Sequence, residues 1–180
     1  MVAARRSLPV LIVALGVGCA NGDAVPAAQG VGAPVTTAQL ATSTCTPGNQ
    51  DRYVYRPARL RRVAACIRAH GTIVTRTMEA DGDIHLQLRL DAPDRVLLNA
   101  GSAEEGGNLV VEAICQFPPL QADAIRICAT NPDPFPGPLP NVGDHVWMEG
   151  RYVVEVQHGA WSELHPLYRW GAMAQQGTLK

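Results

Sequence analysis

The stretch IHLQLRL, residues 84–90, alternates strictly. Ile84, Leu86, Leu88 and Leu90 fall on one side, and His85, Gln87 and Arg89 on the other. Successive side chains turn to opposite sides only in an extended strand, and this polarity asks for one face on a core and one toward water. HVWMEGRYVVEV, residues 145–156, repeats the pattern around Gly150. Val146, Met148, Tyr152, Val154 and Val156 form the inward set, and His145, Trp147, Glu149, Arg151 and Glu155 the outward one. A glycine inside such a strand marks a sharp bend or a close neighbour.

The remaining segments fit around these two. VAACIRAHGTIVTRTM, residues 63–78, is a long run with β-branched residues in which His70 and Gly71 mark a bend or bulge. DGD at 81–83 is a hairpin signal. A turn at DAPD leads to RVLLN, and SAEEGGN leads to LVVEAICQF, where Leu109, Val111, Ala113 and Cys115 share a face opposite Glu112. The connection 117–143 holds LQADAIRICA, readable as a short helix, then a proline-rich irregular stretch. QHG turns the chain into AWSELHPLYRW, the last strand, where Pro166 suits an edge or a strand end. This succession predicts an all-β fold with minor α, a five-stranded OB-like Greek-key barrel with its extra element between strands three and four. A small β-sandwich would carry the same core pattern.

The N-terminus reads as an export leader. Arg5 and Arg6 precede an apolar run from Leu8 to Val17, followed by small residues. The run is short of the roughly 20 apolar residues that a permanent span needs. LGVGC resembles the lipobox of bacterial lipoproteins, with Gly16 where Leu is usual, and makes Cys19 the expected lipidated residue. Residues 1–18 are then a lipoprotein-type signal, 19–44 a flexible Ala/Gly/Pro/Thr tether, 45–170 the barrel and 171–180 a frayed tail.

Cysteine arithmetic agrees. There are five cysteines, and an odd thiol is unusual in an exported protein. With Cys19 carrying lipid, Cys45, Cys66, Cys115 and Cys128 remain, enough for two disulfides. Four cysteines allow three pairings; the favoured one joins Cys115 to Cys128, closing the loop after a strand, and Cys45 to Cys66, tying the N-terminal arm to the first strand. No pair has the CxxC spacing of a structural zinc site. Fifteen basic and sixteen acidic side chains leave no broad field for nucleic acid, and the cluster Arg56, Arg59, Arg61 and Arg62 reads as a solvated arm.

Chemistry concentrates in HGAWSELHPL, residues 158–167. Period two sets Trp161, Glu163 and His165 on one side and Ser162 and Leu164 on the other, with His158 in the turn. His85 and Glu112 lie on the outward sides of their own strands. If these strands are neighbours, His85, Glu112, Glu163 and His165 converge into a metal or ligand set, with Trp161 as the aromatic on the ligand face. The same residues also serve as ordinary cross-strand polar pairs. No catalytic residue is assigned: Ser162 has no GxSxG elbow, and phosphate-loop and dinucleotide fingerprints are absent from the sequence.

DGDIHLQLRLD, LVVEAIC and GDHVWMEGRYVVEVQHGAWSELHPL together resemble a group of exported bacterial OB-like domains marked by a C-terminal HGW-x-E-I-H-P phrase. The matching positions are His85, Trp161, Glu163, His165 and Pro166, over residues 60–170. Ala160 is inserted between Gly159 and Trp161, and Leu164 stands where Ile is common. The resemblance implies architecture and location but no activity. The expectation is an exported envelope protein, lipid-anchored or else secreted, whose barrel binds a small-molecule or protein ligand. It needs no cofactor. The rival is a metal-dependent enzyme or metal-binding protein using the His/Glu set with a divalent ion.

Overall fold

The computed structural model describes residues 45–131 and 137–174. The expected leader at 1–18, Cys19, the rest of the expected tether and residues 175–180 lie outside the described residues. Among the described residues five strands run in the order β1 (Leu60–Met78), β2 (Ile84–Leu90), β3 (Leu109–Ala113), β4 (His145–Glu155) and β5 (Ser162–Ala172), with one α-helix, α1 (Ala122–Ala129), between β3 and β4. They close into a ring ordered β1-β2-β3-β5-β4. Every pairing is antiparallel except β3 with β5, which is parallel through Val110–Glu163 and Val111–Leu164. The fold is a small all-β barrel, not two stacked sheets. β5 continues two residues past the expected boundary at 170.

Closure follows from the length of β1. Its 19 residues pair with β4 along most of their length and with β2 along the second half. A strand shared so widely must coil. Its ladders break register between Arg62 and Ile67 and between Ile73 and Thr75, where bulges increase the twist. Gly71 is bonded on both sides, opposite Leu90 and Val146. A β-carbon there would collide with the Arg89 carbonyl, so only glycine fits. His70 is not a bulge residue: it pairs in register with Trp147, and its ring Nδ1 lies 2.7 Å from Asp94 Oδ2.

The predicted inward residues of β2 are buried, as are Val146, Met148 and Tyr152 of β4. They meet Ile67, Ile73, Leu109, Val111, Leu164 and Leu167 in one core. Val156 departs from its expected place and is 50% exposed. It lies past the end of β4, whose register with β5 shifts on either side of Gly150. Pro166 also departs. It sits buried inside β5, where the ladder opposite Gly150 and Tyr152 skips, so its missing N–H costs no regular bond. Both expected disulfides form: Cys45–Cys66 and Cys115–Cys128, with Cα–Cα separations of 5.5 and 5.3 Å. Cys115 itself lies just beyond β3, at φ 54°.

Candidate functional site

Outward on this barrel does not mean exposed. Residues 45–59 form an arm with two short 3-10 turns, and its side chains reach the outer faces of β4 and β5. Tyr168 donates to Asp51 Oδ1, and Arg169 donates to the Thr46 carbonyl at 2.6 Å. Glu149 is therefore 2% exposed although it points away from the core. Arg68 holds its Oε1 at 2.6 Å and Arg169 its Oε2 at 2.9 Å. Glu155 is likewise fully buried and ion-paired with Arg59. Burial opposes its charge, but the Arg59 bond and the Gln157 N–H hold its carboxyl below the usual range. Arg59 is thus a partner inside the fold rather than part of a solvated arm.

The other wall carries an open cleft of about 420 Å³. The β1–β2 turn supplies Glu79 and Asp81, β2 supplies His85, β3 supplies Glu112 and β5 supplies Glu163. The segment between β2 and β3 adds Glu105; the arm adds Tyr55, Arg56 and Arg59; and the β4–β5 turn adds Gln157, His158 and Trp161. Five carboxylates against two guanidinium groups make the cleft acidic.

Local structure fixes each group. Glu79 follows β1 in a tight turn closed by its N–H on the Asp83 carbonyl (2.9 Å) and by the Gly82 N–H on the Glu79 carbonyl (3.1 Å). Glu105 is the last residue of a 3-10 turn, Ala100–Glu105. Asn99 caps that turn by accepting from the Ser102 N–H, and Gly106 ends it at φ 64°, a conformation glycine adopts without strain. His85 and Glu112 are direct cross-strand neighbours in the β2–β3 ladder.

His85 is the hub. Its Nδ1 lies 2.9 Å from Glu112 Oε1 and 3.6 Å from Glu79 Oε1, and its Nε2 lies 3.5 Å from Glu105 Oε2. Burial alone would lower the imidazole, but the Glu112 hydrogen bond and the surrounding carboxylates push it up to about 9. Burial would raise Glu112, yet the His85 bond holds it below the ordinary carboxylate value. Glu79 is raised by burial and by the charge of Glu112. Glu112 is 5% exposed, and its Oε2 is buried with no hydrogen-bond partner among the described residues.

The expected set of four divides into two pairs. His85 joins Glu112, and His165 Nδ1 lies 3.2 Å from Glu163 Oε2. Glu163 also accepts from the Trp161 indole, so both of its oxygens are engaged. Glu163 and Trp161 line the cleft, whereas His165 is fully buried and does not. Three groups lie within 4.8 Å of one another, and they are Glu79, His85 and Glu112. Glu79, Glu105 and Arg59 escape sequence reading because a turn, a 3-10 segment and an arm have no strand periodicity. The only textual hint was the acidic pair in SAEEGG. Ser162 is buried in the barrel wall, its hydroxyl accepting from Tyr152 at 3.3 Å. No family model, curated protein or solved structure matches the chain.

Proposed function

We propose that this chain is an exported envelope protein, anchored through lipid on Cys19, whose barrel is OB-like and works as a ligand-binding module rather than an enzyme. The ring order with β3 parallel to β5, and α1 between β3 and β4, supports the OB-like reading. OB barrels bind ligands on the face of strands two and three, between the loops that join strands one to two and four to five. The cleft occupies the corresponding position: Glu79 and Asp81 come from the first of those loops, and His158 and Trp161 from the second. The two disulfides suit an oxidising compartment.

The observation that carries the binding reading is the cleft itself. Charged side chains from six segments surround a hollow on the outside of a barrel whose core is complete without them. Its acidity selects against nucleic acid and favours ligands with a cationic group. The test is a panel of small amines, sugars and short peptides, followed by NMR at the Trp161 indole and the His85 ring. Binders are expected to perturb both resonances and to lose at least tenfold in affinity in Trp161→Ala. Binders whose shifts map to the Glu149 wall would overturn the assignment. Mass spectrometry of the envelope fraction is expected to find mature chains that begin at lipid-modified Cys19, and Cys19→Ser chains are expected to leave the membrane. An unmodified Cys19 in wild type would overturn the anchor.

A further inference from the structure

We infer that Glu79, His85 and Glu112 form a binding site for one first-row divalent cation, open to the cleft. This deepens the binding reading by naming the ligand class, and it rests on that cleft being the ligand site.

The donor set comes from three separate elements, so the fold brings it together. Glu79 closes the β1–β2 turn, His85 is the second residue of β2, and Glu112 is its cross-strand neighbour on β3. One donor atom from each lies within 4.8 Å of the other two. The spacings from His85 Nδ1, 2.9 Å to Glu112 Oε1 and 3.6 Å to Glu79 Oε1, match those around a small dication. Metal–ligand bonds of about 2.1 Å place neighbouring donors about 3.0 Å apart at right angles and about 3.4 Å apart at tetrahedral angles. The ion would take the place of the imidazole proton on Nδ1, and that proton leaves to water.

Two further observations point to a ligand. Glu112 is 95% buried, yet its Oε2 has no partner among the described residues, and the residue lines the cleft. An ionised carboxylate oxygen left in that position is costly unless something cationic reaches it. The opposite edge of the same ring faces Glu105 Oε2 from Nε2 at 3.5 Å. Metal-bound imidazoles commonly offer their second N–H to a carboxylate, which fixes ring orientation and tautomer. Glu105 fills that place as a positioning residue. One imidazole with two carboxylates favours Zn²⁺ or Mn²⁺ over Mg²⁺ and Ca²⁺, which prefer all-oxygen sites.

The test is calorimetric titration of the full chain, stripped with chelator, with Zn²⁺ and with Mn²⁺ alone. One ion per chain is expected. Glu79→Gln is the primary variant, because its side chain is 44% exposed and its loss leaves the core untouched. It is expected to weaken binding at least tenfold, His85→Gln at least a hundredfold, and Glu105→Gln three- to tenfold. Asp94→Asn, at the separate His70–Asp94 pair, serves as the control and is expected to bind as wild type does. Substoichiometric uptake, unchanged affinity in Glu79→Gln and His85→Gln, or loss of binding in Asp94→Asn would each overturn the site. Repeating the small-ligand panel in chelator separates the two readings. Cleft binders that persist without metal uptake leave the binding module standing and remove only the cation.

Discussion

Glu149 and Glu112 are both buried glutamates on the outside of the same barrel, and they are treated oppositely. Glu149 has a guanidinium on each oxygen, from Arg68 on the neighbouring β1 and Arg169 on β5, and the arm lies across β5 through the Arg169–Thr46 bond. Glu112 has one oxygen on His85 and the other without a partner among the described residues, beside an open cleft. The first is wired into the fold; the second is held ready. Burial alone does not separate scaffold from site. What separates them is whether the polar valences are already satisfied by the chain.

That contrast can be broken or sharpened experimentally. The largest effect is expected on the scaffold wall from Cys45→Ala with Cys66→Ala. This pair ties the arm to β1 across 21 residues of chain, and its loss is expected to lower unfolding free energy by about 3 kcal/mol. Denaturant melts read it directly. Glu149→Gln should follow, at about 2 kcal/mol, because one guanidinium loses a charge-assisted partner while remaining partly in water. A negligible loss there would erase the distinction between the walls.

Asp83 offers a pH-dependent test near the cleft. It is 2% exposed, and burial, with the charges of Glu112 and Asp81, pushes its carboxyl from 3.8 up to about 9. A raised carboxyl favours the folded state while protonated. Its contribution to stability is therefore fullest below pH 3.8 and falls as pH rises toward 9. Asp83→Asn keeps an acceptor for the Cys115 N–H but never ionises. It is expected to melt above wild type at pH 8, with the gap closing toward pH 4. His85 acts in the same sense: its contribution is complete below pH 6.5 and lost by about 9.

Much of the scaffold wall was legible in the residues, and much of the cleft was not. IHLQLRL is the whole of β2 with the predicted sides, and the two cysteine pairs and the short helix lie where the text put them. The His85–Glu112 contact follows from period two once β2 and β3 are neighbours. Period two also set Glu149, Glu155 and His165 outward, but it carries no information about what covers an outer face, and all three are buried. It failed at Val156 because a register shift within β4 and the end of the strand break the count. Glu79 and Glu105 complete the His85 cluster from non-repeating backbone, which only three dimensions bring to the same place.

The most direct measurement is the urea unfolding free energy of Glu112→Gln. The amide keeps an acceptor for the His85 N–H and removes a desolvated charge, so gain and loss nearly cancel. Stability is expected to stay within about 1 kcal/mol of wild type while cation uptake is lost. A fall of about 2 kcal/mol or more, like that expected of Glu149→Gln, would show that Glu112 serves the fold and would contradict the separation of the two walls.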